Sequence, residues 1–191
     1  MRVSVSNLDL YRSWKAQEDL DMGWLLKALR SKEPTEPMLR GRAFANCMER
    51  VREGEVDQLS FCGYTFCFTG EFTIESFPRR EESREKDYGD IVVSARCDRI
   101  LGKVIIDDKN TEHFDAEKYL EKFQSRFYLD MFGADKFVWN VWEVKEMDEP
   151  KTYCVHTLHV LTQYRYPEME AECRDLAQEY RDFAARWIPA V

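Results

Sequence analysis

Asp107 and Lys109 stand two residues apart in VIIDDKNT, and Asp98 precedes them in VVSARCDRIL. Val92, Val93, Ile100, Leu101, Val104, Ile105 and Ile106 supply the β-branched and aliphatic content of a hairpin, with Leu101-Gly102-Lys103 as its turn. Residues two apart on a strand share a face, so Asp107 and Lys109 point together while Asp108 between them points away. A turn centred near Gly102 sets Asp98 opposite Ile106 or Asp107, where Cβ atoms lie ~5 Å apart. Two carboxylates that close need a cation. Mg²⁺ takes oxygen ligands at about 2.0–2.1 Å and keeps waters, so two aspartates and a backbone carbonyl are sufficient protein ligands. The chemistry would be hydrolysis by a metal-activated water. A lysine beside it would donate hydrogen bonds to that water and to phosphate oxygens whose charge grows in the transition state. D-x-K by itself also fits an exposed hairpin whose charges merely solvate its rim.

A second polar feature follows in the sequence. Leu120, Phe123, Phe127, Tyr128 and Met131 make an apolar helical stripe, and Gln124 lies within it, one turn from Leu120 and from Tyr128. A glutamine on a core face requires a partner. Q-x-x-x-Y puts an amide and a phenol on one helical face, able to reach a metal site or a DNA backbone; a satisfied core glutamine is the alternative.

The elements that must position these residues are read from periodicity and caps. Ser6 with Asp9 in the first turn opens a short helix through Leu8, Tyr11 and Trp14. A second helix spans about Asp19 to Arg30, with Leu20, Trp24, Leu25 and Ala28 at helical spacing. SKEPTEP (31–37) is a loop, and 38–53 is an amphipathic helix whose polar side carries arginines. FCGYTFCFTGEFTIESF alternates as one or two strands, and PRREESREKDYG (78–89) reads as a solvated connection. After the hairpin, Asp115 caps a helix from Ala116 to about Met131 that closes at Gly133. Strands at 136–144 and 151–161 and a last amphipathic helix opened by Pro167 complete the chain. The fold expected is α/β or α+β, a mixed central β-sheet flanked by helices.

The chain has 191 residues, enough for one domain with a real core. With 44% hydrophobic and 34% charged residues, the composition is that of a packed, soluble protein. No apolar run approaches the ~20 residues of a membrane helix, and the N-terminus lacks a signal-peptide core, so a cytoplasmic location without membrane is expected. The six cysteines are scattered with no C-x-x-C pair, as expected of free thiols rather than a zinc or iron-sulfur site. His156 and His159, three apart on a strand, face opposite sides and make a poor zinc pair. A net charge of −8 repels a polyanion unless basic residues gather locally or a bound divalent ion supplies positive charge. No Walker motif is present.

Over residues 4–144 the sequence resembles the RecB-like branch of the PD-(D/E)xK nuclease superfamily, which includes lambda-type and CRISPR-associated exonucleases. The resemblance runs through Ser4, Ser6, Leu8 and Tyr11; Gly41-Arg42-Ala43-Phe44 to Glu49; Asp98; Asp107 and Lys109; and Gln124 and Tyr128, in order and spacing. It implies a restriction-endonuclease-like core in a single domain: an N-terminal helical part (1–37), a nuclease core (38–144), and a C-terminal strand and helix (145–191). It further implies Asp98 and Asp107 as ligands of Mg²⁺ or Mn²⁺ with the Asp108 carbonyl, Lys109 positioning the water, Glu49 as the first-motif acid, and Gln124 and Tyr128 toward substrate. The activity implied is metal-dependent cleavage of DNA, by an exonuclease above all, with a homo-oligomer or protein partner compatible with the chain. Ala45 replaces a histidine that many members carry, and Ala95 a glycine. The cysteine pattern of iron-sulfur members is missing, so no cluster is expected. The competing class is a noncatalytic nucleic-acid- or protein-binding domain that retains the nuclease fold.

Overall fold

The computed structural model describes the chain except residues 18, 20, 32, 52–53, 71, 75–78 and 189–191. β1 (Arg2–Ser4) runs directly into α1 (Val5–Lys15). The cap of α1 is Ser4, not Ser6: Ser4 Oγ accepts from the Asn7 amide at 3.3 Å, and Ser6 is an exposed first-turn residue. α2 (Met22–Arg30) starts later than expected because the Asp21 carboxylate caps it through the Trp24 amide; Leu20 lies outside the described residues. α3 (Glu36–Arg50) starts earlier, with Pro37 in its first turn, where no amide is needed.

The aromatic stretch and the residues just before it form short strands, β2 (Gly54–Glu55), β3 (Gln58–Phe61), β4 (Tyr64–Phe68) and β5 (Thr73–Ile74). Cys62 and Gly63, both at positive φ, make the β3–β4 turn. The end of the expected strand, residues 75–77, lies outside the described residues.

The solvated connection expected over 78–89 is instead β6 (Arg79–Asp87), paired antiparallel with β7 (Val92–Leu101) from Arg79↔Ile100 to Asp87↔Val92. Its charges suit an edge strand, where they discourage further pairing. The hairpin continues into β8 (Val104–Thr111), with Gly102 at φ 57° in the turn. The helix expected from Ala116 to Met131 is broken into α4 (Ala116–Leu120) and α5 (Phe123–Phe132), because Lys122 is extended, at ψ 134°. Gly133, left-handed at φ 62°, closes α5 as expected. β9 (Lys136–Glu146) and β10 (Thr152–Tyr164) form a long antiparallel pair, and α6 (Met169–Trp187) begins two residues beyond Pro167.

Among the described residues, eight strands form one mixed sheet in the order β1-β7-β8-β9-β10-β4-β3, with β6 on the outer edge of β7. Strand β9 shows why both faces are covered. Phe137, Trp139 and Val141 bury into a core shared with α1, α5 and α6, whereas Trp142 and Val144 bury into a second core with Phe44, Cys47 and Met48 of α3 and Phe66 of β4. The near-continuous apolar run of that strand is what burial on two faces requires. The expected class, a mixed central sheet flanked by helices and consistent with a restriction-endonuclease-like core, is therefore what the chain forms.

One feature of the sheet creates space. β6 occupies one edge of β7, and two strands share the other: β1 pairs parallel with Val92–Ser94, and β8 pairs antiparallel with Arg99–Leu101. Between them, the register with β1 ends at Ser94 and the register with β8 begins at Arg99. The strands part there and a cleft opens. Among the described residues no helix is long and apolar enough to cross a membrane.

Candidate active site

The cleft is about 960 Å³ and brings together Asp98, Asp107, Asp108, Lys109, Gln124 and Tyr128. Its other wall is α3, through Gly41, Arg42 and Ala45. The register Arg99↔Ile106, continued by one residue, sets Asp98 against Asp107 at the point where β7 leaves β8. The strand alternation expected of D-D-K holds. Lys109 Nζ lies 2.6 Å from Asp107 Oδ2, and Gln124 Nε2 donates to Asp107 Oδ1 at 2.9 Å. The Asp108 side chain turns to the α3 side, where it pairs with Arg99 and accepts from Trp142 Nε1 at 3.0 Å and Asn140 Nδ2 at 3.4 Å.

Electrostatics mark the pair as short of positive charge. Burial, and then the neighbouring Asp107 charge, push the Asp98 carboxyl up to about 7. Burial alone would lower Lys109, but the charges of Asp107 and Asp98 outweigh it and hold the ammonium above its ordinary value. Asp107 is 2% exposed. Its Oδ2 is in charge contact with Lys109 yet has no partner in hydrogen-bonding geometry. A buried, incompletely satisfied carboxylate oxygen beside a second carboxylate is an oxygen donor set that a hard divalent cation fits. Among the described residues no three His, Cys, Asp or Glu side chains gather as metal ligands; a cation that retains waters does not require three.

The remaining expected residues have separate places. Tyr128 lines the cleft, and its hydroxyl donates to the Arg96 carbonyl at 2.6 Å, between the stretches of β7 that pair with β1 and with β8. Glu49 is half-buried one turn beyond Ala45 on α3, and its charge contributes to the raised Asp98. The two histidines are ordinary sheet residues. A bulge falls between Val155 and Thr157, His156 is exposed, and His159 meets Glu143 at 2.9 Å and stacks on Phe114 at 3.7 Å. All six cysteines are free thiols.

Two features escaped the sequence reading. Arg2, Arg42, Arg84 and Arg96 come from four elements and line the same cleft, on a chain of net charge −8; Arg2 pairs with Glu85, which lines the cleft too, and Arg84 pairs with Glu82. Arg96, an exposed charge two residues before Asp98 on the same strand, was the available signal. The other is Asp9, whose Oδ1 accepts from the Gln124 amide at 3.0 Å. No local pattern announces a contact across 115 positions.

No protein-family model matches the sequence, and no curated protein matches it significantly. Among solved structures, the chain is similar to SSO0001, at 17% identity and a TM-score of 0.52, over 95% of this chain and 76% of that one. It is also similar to LHK-Exo in complex with dAMP, at 11% identity and a TM-score of 0.42, over 96% of this chain and 92% of that one. The first likeness is one of fold, and the second is too slight to carry an argument.

Proposed function

We propose that this protein is a divalent-metal-dependent DNA nuclease acting as a single domain, with Mg²⁺ or Mn²⁺ held by Asp98, Asp107 and the Asp108 carbonyl. The observation that carries the reading is the convergence of Asp98, Asp107 and Lys109 in a cleft with an arginine-lined rim. When bound, the ion supplies the Lewis-acid charge that activates water and offsets developing charge on phosphate. The protein's own groups do the rest. Gln124 fixes one oxygen of Asp107 and leaves the other turned toward Lys109. Lys109, kept protonated by the two aspartates, donates to the attacking water or to a non-bridging phosphate oxygen, where charge grows most in the transition state. Arg42 and Arg96, exposed at the rim, offer charge-assisted hydrogen bonds to flanking phosphates. Glu49 adds negative charge from the α3 side.

The parting of β7 from β8 supports exonuclease and endonuclease readings alike, and the sequence resemblance favours the former. Ala45 on the cleft wall favours the second reading, a noncatalytic nucleic-acid-binding domain. Incubating end-labelled linear and closed circular DNA with the protein and Mg²⁺ or Mn²⁺ separates them. Release of mononucleotides from ends is expected, nicking of circles would indicate an endonuclease, and intact single-stranded, double-stranded and nicked substrates would overturn the enzyme reading.

A further inference from the structure

We infer that Asp9 is a positioning residue of the candidate site, which caps α5 from α1 and so sets Gln124 against Asp107. A helix begins with amides that have no partner inside it. α5 receives no cap from its own flank, since Lys122 in the N-cap position offers no side-chain acceptor. Asp9 supplies the acceptor instead, taking the Gln124 amide at 3.0 Å with the Phe123 amide beside it. Its negative charge faces the positive end of α5 and the ammonium of Lys122.

Asp9 is itself held firmly. Leu8 beside it is fully buried and Tyr11 and Trp14 are in the core, so α1 is a rigid mount. The same residue of α5 whose backbone Asp9 takes then reaches into the cleft, where Gln124 Nε2 donates to Asp107 Oδ1 at 2.9 Å. The bonds therefore run in series from α1 through Asp9 and Gln124 to Asp107. They also depend on the helix break at Lys122: a continuous helix from Ala116 would have satisfied the Gln124 amide internally, leaving Asp9 without it. Freed from Asp9, the first turn of α5 would fray and Gln124 would lose its fixed aim; loss of a partner that orients a metal-ligating group typically costs about 10–100-fold in metal affinity.

The test reads Gln124 directly, in metal-free protein, by ¹⁵N NMR. In Asp9→Ala the Gln124 side-chain amide signals should move to free-amide positions, and exchange of the Phe123 and Gln124 backbone amides should rise tenfold or more. Asp9→Asn, which keeps an acceptor oxygen, should restore both. The Mn²⁺ dissociation constant should weaken by roughly 10-fold in Asp9→Ala, and Gln124→Ala added to it should weaken it little further. Unchanged Gln124 signals in folded Asp9→Ala overturn the proposal, as does additive loss in the double variant. If Asp9→Ala does not fold, Asp9→Glu displaces the acceptor by one methylene, and unchanged Gln124 signals there overturn it equally. The link to metal rests on the nuclease reading, and the two fail separately: wild type that binds no Mn²⁺ removes that reading while the NMR comparison still decides the role of Asp9.

Discussion

Asp107 and Asp108 are chain neighbours on opposite faces of β8, and their substitution should separate chemistry from stability. Asp108→Ala takes a buried carboxylate partner from Arg99, which is 4% exposed, and leaves Trp142 Nε1 and Asn140 Nδ2 without this acceptor. Breaking a buried pair by deleting one partner costs about 3–5 kcal/mol. For a chain of this length 1 kcal/mol corresponds to about 2–4 °C, so the melting temperature should fall by roughly 6–20 °C. Asp107→Asn is the contrast. Its amide oxygen still accepts from Gln124, and loss of its charge relieves the repulsion that raises Asp98. Lys109, whose side chain is 32% exposed, is left partly solvated rather than stranded. Stability should change by no more than about 1.5 kcal/mol, while Mn²⁺ binding and DNA cleavage are abolished. Urea melts, Mn²⁺ calorimetry and cleavage time courses on the two variants decide it, with cleavage by Asp108→Ala scored per folded molecule. If Asp107→Asn destabilises as much as Asp108→Ala, or if folded Asp108→Ala is as inactive as Asp107→Asn, the division of faces is wrong.

Lys109→Ala should lower turnover by ~10² or more, as when one charge-stabilising donor is removed, with Mn²⁺ affinity changed little; parallel calorimetry and cleavage measure the two. Tyr128→Phe removes the bond to the Arg96 carbonyl, so chemical denaturation should show a loss of ~1 kcal/mol, and no loss would mean that the hydroxyl serves substrate rather than the strand edge. Burial pushes the Asp9 carboxyl up to about 6 from its ordinary 3.8. A carboxyl raised on folding favours the native state while it is protonated, so its contribution is full below about pH 4 and is lost as pH climbs to about 6, by roughly 3 kcal/mol in all. Denaturation of metal-free wild type and Asp9→Asn across that window should show a steeper decline in the wild type.

What the sequence made legible was parity and periodicity. Alternation in VIIDDKNT separated Asp107 and Lys109 from Asp108, the Gly102 turn placed Asp98 across from Ile106 or Asp107, and the stripe around Gln124 demanded a polar partner, which is Asp107. These are rules about one element or one hairpin. The cap of α1 and the start of α2 were misread for local reasons, whereas the two larger misreadings have distant causes. β6 lacks apolar alternation because it is an edge strand, its pairing drawn from β7 and its Arg84 directed at the Met131 and Phe132 carbonyls at the end of α5. The continuous helix expected from Ala116 is divided at the extended Lys122, and the Gln124 amide just beyond the break is taken by Asp9 on α1, 115 positions away.

The arginine rim has the same origin, because Arg2, Arg42, Arg84 and Arg96 are separated in sequence and meet only after β1 and β8 have taken opposite ends of one edge of β7. The acidic overall charge gave no hint of it. A net charge of −8 disfavours a phosphate backbone overall, and the two carboxylates at the centre of the cleft would repel that phosphate unless Lys109 and a cation neutralised them first. Removing the divalent ion should therefore weaken DNA binding as well as cleavage. Ca²⁺, an oxygen-seeking ion of larger radius, should restore binding without restoring the reaction. Equal DNA affinity in EDTA and in Ca²⁺ would show that the rim alone holds the substrate and that the two aspartates do not share a cation.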